Sequence, residues 1–132
     1  MSSKQPEIST LKIAVILPCY NEEATIAQVV TAFAQHLPQA DIYVCDNASQ
    51  DKTADQARSA GAIVLSEHKQ GKANAVCRLF SAVDADVYVL SDGDLTYDAS
   101  AAPQLISMLV DNKCEMIVGA RAPVSGQKTY RP

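Results

Sequence analysis

Residues 11–17 are apolar almost without a break and stop at Pro18, the length and texture of a strand buried on both faces. The pattern then changes period. Ile26, Val30, Phe33 and Leu37 recur at helical spacing, with Asn21, Glu22 and Glu23 as capping and first-turn residues and Pro38 as the stop. Residues 41–45 form a second short apolar run. Residues 52–60 read as a short helix with Ala54, Ala57 and Ala60 on its inner face and Gly61 as its cap. A third strand is expected over residues 62–65. A third helix follows, with Val76, Leu79, Phe80 and Val83 on one side. The next apolar run starts at Asp86 and empties into Ser91-Asp92-Gly93-Asp94. Beyond it, Pro103 stands in the first turn of a helix over residues 104–112, and residues 115–118 make a fifth strand ending in Gly119-Ala120-Arg121.

Strand and helix alternate four times before the last strand, which predicts an α/β domain with a mainly parallel sheet and helices on both faces. The domain is expected over residues 11–121, after a flexible N-terminal segment of residues 1–10 and before an irregular tail of residues 122–132. Sheets of this kind bind ligands outside the carboxyl ends of their strands. That rule gathers the polar loops at 18–22, 46–51, 68–72 and 92–94 on one rim.

Charge and composition narrow what the rim can bind. The chain has 132 residues and a formal net charge of -4, with no cluster of Lys and Arg, which argues against a nucleic-acid surface. A polyphosphate ligand would therefore need a cation or a few well-placed basic side chains. No apolar run approaches the length of about 18 residues that a membrane helix needs, and residues 1–10 have no apolar segment of a signal peptide, so the expected location is cytoplasmic. Cys19, Cys45, Cys77 and Cys114 are scattered, with no C-x-x-C pair, which disfavours a zinc site; Cys45 and Cys114 read as small buried hydrophobes. His36 is expected at a helix end on the surface, and His68 in a loop beside Lys69.

The chemistry concentrates at Asp92-Gly93-Asp94. In extended backbone, residues two apart face the same side, so both carboxylates could turn to one hard cation while Gly93 lets the chain bend. The same three residues are also ordinary turn composition after a strand. Neither G-x-G-x-x-G nor G-x-x-x-x-G-K-[ST] occurs, which disfavours a dinucleotide oxidoreductase and a P-loop ATPase. The rim instead offers carboxylates at two strand ends, one aromatic at Tyr20, and basic groups at Lys72 and Arg121. Carboxylates accept hydrogen bonds from a base or ribose, and paired ones hold Mg²⁺ or Mn²⁺, which bridges a diphosphate.

Five segments in order make the chain similar to a known family: Val15-Ile16-Leu17-Pro18-Cys19-Tyr20-Asn21-Glu22-Glu23, Val44-Cys45-Asp46-Asn47-Ala48-Ser49-Gln50-Asp51-Lys52-Thr53, Gly71-Lys72-Ala73-Asn74-Ala75, Asp92-Gly93-Asp94 and Val118-Gly119-Ala120-Arg121. They resemble the family 2 glycosyltransferases of the Rossmann-like GT-A fold, especially members like dolichyl-phosphate-mannose synthase. The resemblance implies a UDP- or GDP-linked sugar donor, with the base near Pro18, Tyr20, Glu22 and Asp46. It also implies a divalent ion, Mg²⁺ or Mn²⁺, at Asp92 and Asp94 with Gly93 between them, and Lys72 and Arg121 facing the donor phosphates or base. Each residue also has a structural reading: Tyr20 packing on Pro18, Glu22 as a first-turn acid, Asp46 as an Asx turn, Lys72 as a solvated charge, Arg121 as a surface ion pair.

Related enzymes continue beyond the position matching Arg121 with a segment that supplies acceptor contacts and, in inverting members, a general base. The resemblance therefore assigns no catalytic base here and no acceptor. The second segment also departs from the family, with Asn47 and Ala48 where Asp and Gly are usual. Three functions stand: a compact transferase that completes its acceptor side by self-association, as a homodimer, or with a partner; a nucleotide-sugar-binding module without transfer; and, more distantly, a nucleotidyltransferase, which also uses carboxylate-bound Mg²⁺.

Overall fold

The computed structural model describes residues 10–95 and 98–111. The expected strand at residues 115–118, Cys114 and Arg121 lie outside the described residues. In chain order the elements are β1 (Ile13–Cys19), α1 (Ile26–His36), β2 (Asp41–Asp46), α2 (Thr53–Ser59), β3 (Ile63–Ser66), α3 (Lys72–Ala82), β4 (Val87–Leu90), a 3-10 turn (Ala99–Ala101) and α4 (Ala102–Asp111). Among the described residues the sheet has the order β3-β2-β1-β4, and all three pairings are parallel.

β1 is the centre of the domain. All seven of its residues are buried, and its alternating side chains divide between two cores. Ile13, Val15, Leu17 and Cys19 pack with Ile26, Val29, Val30 and Phe33 of α1, and this core also takes in Ala57 of α2 and Ala102 and Ile106 of α4. Ala14 and Ile16 face the other way, onto Ala75, Leu79 and Val83 of α3 and its end. Helices thus cover both faces, as a run apolar at every position requires.

Three local expectations are corrected. Pro18 does not end β1, which runs to Cys19. The missing N–H is harmless there: Ser91 N donates to Ile16 O, so Ile16 and Pro18 point their backbone groups toward β4, and the last β4 partner of β1 is Leu90, opposite Ile16. The inner face of α3 is Ala75, Leu79 and Val83 rather than Val76, Leu79, Phe80 and Val83. Phe80 is 46% exposed and lies against Tyr88, with ring centroids 4.9 Å apart. A small residue at position 75 lets the helix approach the sheet closely, and α3 turns accordingly.

The third correction is the start of α1, which begins at Ile26, so Glu22 and Glu23 lie in the turn before it rather than in its first turn. Side-chain acceptors of the loop after β2 and of the first residue of α2 capture the amides that a helix would have left open. Asn21 N donates to Ser49 Oγ (2.9 Å), Glu22 N to Thr53 Oγ1 (2.8 Å) and Glu23 N to Asp51 Oδ2 (3.2 Å). The lacing is reciprocal: Gln50 N donates to Asn21 Oδ1 (2.9 Å) and Lys52 N to Glu23 Oε1 (2.8 Å). The loops that follow β1 and β2 are thereby one unit.

Candidate functional site

The strand order reverses at β1. The chain leaves β1 for β2 and β3 on one side and crosses back through α3 to β4 on the other, so a crevice opens beyond the carboxyl ends of β1 and β4. An open cleft of about 250 Å³ lies there, lined by Pro18, Cys19, Tyr20, Glu22, Asn47, Lys72, Ala75, Asp92 and Asp94. Of the residues singled out in the sequence, Pro18, Tyr20, Glu22, Lys72, Asp92 and Asp94 line it together. Gly93 lies buried directly behind it. Asp46 is not among the residues that line the cleft: its Oδ1 accepts from Ser49 N, three residues on, at 3.1 Å, a local bond that shapes the loop after β2. His68 is exposed in the β3–α3 loop and does not line the cleft either.

Gly93 is required by close approach. A Cβ built at this position would lie 2.7 Å from Cys19 Sγ and 3.1 Å from Ile26 Cδ1, inside normal contact. The absence of a side chain lets the Asp92–Asp94 bend settle onto the end of β1. Thr25, just ahead of α1, donates its hydroxyl to Gly93 O at 2.5 Å and fixes the bend from the other side. Cys19 is therefore the floor of the bend. Burial pushes its thiol far above the ordinary range, helped by the carboxylates of Glu22, Asp46 and Asp92, so it acts as an apolar contact rather than a nucleophile.

Across the cleft, Lys72 opens α3 and its Nζ donates to Asp92 Oδ1 at 2.5 Å. The amino end of α3 stands at the same rim, where the helix dipole favours anions. Glu22 faces this pair from the β1 side. Partial burial raises its pKa above the ordinary value of 4.5, the charges of Asp94, Asp92 and Asp51 raise it further, and Lys72 opposes them. Negative charge is thus concentrated at one point, with a single lysine among the residues that line the cleft.

The donor set is made of hard carboxylate oxygens. Among the described residues no group of three or more His, Cys, Asp or Glu has the arrangement of a closed metal cage. Two carboxylates on one bend would suit instead a hard ion of Mg²⁺ or Mn²⁺ type, which needs only one or two protein carboxylates. Sequence reading missed Cys19, Asn47 and Ala75. All three lie within the five segments that carry the resemblance, and Asn47 also stands in an acceptor-rich cluster after a strand, but none was assigned a part in the site.

The sequence model of the family described as glycosyl transferase family 2 matches residues 14–132. Protein RfbJ of Shigella flexneri is 52% identical over 122 residues, which cover 92% of this chain and 95% of that protein. The low-salt glycan biosynthesis hexosyltransferase Agl6 of Haloferax volcanii is 32% identical over 112 residues, 83% of this chain but 27% of Agl6. Among solved structures, glucosyl-3-phosphoglycerate synthase from Mycobacterium tuberculosis, in complex with Mn²⁺, UDP-glucose and phosphoglyceric acid, superposes with a TM-score of 0.69 at 30% identity. That match covers 77% of this chain and 40% of the synthase chain. The chain thus spans nearly all of RfbJ and less than half of the other two.

Proposed function

The chain belongs to glycosyl transferase family 2 and has its GT-A fold, and on that premise we propose that the cleft binds a nucleotide-diphosphate sugar, UDP- or GDP-linked, for transfer of the sugar. The observation that carries this reading is the convergence of Asp92, Asp94, Glu22 and Lys72 on one cleft at the switch point of the sheet. The Mn²⁺ and UDP-glucose named for the M. tuberculosis synthase support it.

Each residue then has a part. Asp92 and Asp94 hold a divalent ion, which when bound supplies Lewis-acid stabilisation of charge on the departing diphosphate. Lys72 sets its ammonium beside that charge, with the amino end of α3 behind it. Tyr20, 45% exposed on the cleft wall, offers its ring to the base, and Pro18 backs it. Glu22 accepts from base or ribose donors. Asp46 acts through the loop it shapes, and Arg121 is assigned to the donor phosphates or base on its sequence match alone.

A second reading is donor binding without transfer by these residues alone. It is favoured by the lining of the cleft, whose charged side chains, Glu22, Lys72, Asp92 and Asp94, are all assigned to the donor and leave none of them for an acceptor. Acceptor contacts would then come from elsewhere in a longer assembly or from a second copy. One experiment separates the two. A panel of nucleotide diphosphates in a thermal-shift assay, with and without Mn²⁺, should stabilise the chain, and UDP- or GDP-sugars should release nucleotide when a suitable acceptor is added. Stabilisation without release leaves the binding reading; stabilisation by no nucleotide removes both. Asp92→Asn and Asp94→Asn should each abolish the Mn²⁺-dependent part of the shift.

A further inference from the structure

Asn47 follows β2 and is 4% exposed, yet its side chain makes three hydrogen bonds. Its Nδ2 donates to Glu67 O and to Lys69 O, each at 2.9 Å, and its Oδ1 accepts from Gly71 N at 2.9 Å. Its own backbone N–H donates to Cys19 O at 2.9 Å, anchoring it to the end of β1. One amide therefore fixes three points of the β3–α3 loop against the centre of the sheet. The last of these points is the residue before Lys72. Gly71 itself stands at φ 131°, a backbone state that side-chain-bearing residues rarely adopt, so the turn into α3 calls for glycine there.

We propose that Asn47 is a positioning residue for the site: it sets where α3 begins, and hence where the Lys72 ammonium stands against Asp92. This inference rests on the nucleotide-diphosphate reading of the cleft. The role needs an amide. A carboxylate of the same shape accepts from Gly71 N but cannot donate, and it would set its charge against the carbonyl oxygens of Glu67 and Lys69. An aliphatic side chain would leave all three loop groups without their partner.

The test compares Mn²⁺-dependent UDP and GDP affinity in the wild-type chain, Asn47→Asp, Lys72→Met and the double variant, together with amide hydrogen exchange at Gly71. Asn47→Asp should weaken binding by roughly tenfold, and Asn47→Ser, whose shorter side chain withdraws the acceptor from Gly71 N, should speed exchange at Gly71. In the Lys72→Met background Asn47→Asp should cost little more, because the group it positions is gone. An equal loss in both backgrounds would show that Asn47 acts without Lys72 and overturns the inference. Unchanged exchange at Gly71 in Asn47→Ser overturns it as well. That arm decides even if the wild-type chain binds neither nucleotide, a result that would retire the proposed function instead. Asn47→Ser, which adds no charge, also carries the affinity comparisons should Asn47→Asp fail to fold.

Discussion

The Nζ of Lys72 lies 2.5 Å from Oδ1 of Asp92, an ion pair that joins the start of α3 to the bend after β4 across the switch point of the sheet. The lysine side chain is 62% exposed and the aspartate 25%, so water screens the pair from one side. Its position gives it a second property, since the ammonium sits on a carboxylate to which a divalent ion is also assigned. Lys72→Met should change folding stability by less than about 1 kcal/mol. The same variant should bind Mn²⁺ alone more tightly and Mn²⁺ with UDP or GDP more weakly. Calorimetric titration of the metal, alone and with nucleotide, reads both signs; a loss of affinity in both titrations would contradict the competition.

Gly93 has no room for a methyl group. Gly93→Ala should destabilise the chain by about 1–3 kcal/mol, the usual penalty of overpacking, because the added Cβ meets Cys19 Sγ at 2.7 Å. Shortening the neighbour should relieve part of it. Urea denaturation of Gly93→Ala with and without Cys19→Ala measures the coupling, and strictly additive losses would place the strain elsewhere.

Ala48 holds φ at 64°, in the left-handed region where its Cβ is strained. Ala48→Gly should stabilise the chain by about 0.5–1 kcal/mol, the relief of strain outweighing the greater freedom of glycine when unfolded. A melting temperature at or below that of the wild-type chain would argue against strain at this position.

Glu22 carries a pH dependence of definite sign. Its folded pKa is raised, first by burial and then by the charges of Asp94, Asp92 and Asp51, so the folded chain holds the proton more firmly than the unfolded chain does. Below the ordinary value of 4.5 the group is neutral in both states and has no effect. As pH rises through that value toward the raised one, ionisation costs the folded state more, and stability falls. Glu22→Gln should therefore be more stable than the wild-type chain at about pH 7 and lose that advantage at about pH 4. Denaturation curves at both pH values check it, and an advantage that grows in acid would reverse the assignment.

Much of this molecule is local. The seven-residue core strand β1, the helical spacing of Ile26, Val30 and Phe33, Pro103 in the first turn of α4, and the acid pair around Gly93 are all written in short stretches of chain, because burial on a strand or helix repeats with the period of the backbone. The carboxyl-end rule then placed Pro18, Tyr20, Glu22, Lys72, Asp92 and Asp94 on one rim, and the structure brings those six together in one cleft.

The rest depends on contacts between segments far apart in sequence. Periodicity could not choose between Ala75 and Val76 as the inward residue of α3, since both continue a helical stripe and only the closeness of α3 to β1 selects the smaller one. It could not foresee that Ser49, Asp51 and Thr53 would capture the amides of Asn21, Glu22 and Glu23 and delay α1, because hydrogen bonds across about thirty residues leave no mark on local pattern. By itself the sequence determined the class of fold and the chemical character of the rim. The tertiary structure decided which rim residues share a cleft, that Gly93 rests on Cys19, and that Asn47 holds the loop from which Lys72 reaches Asp92. The reason is physical: strand order and loop-to-loop hydrogen bonds are set by how distant surfaces fit, and fit is a property of the folded whole.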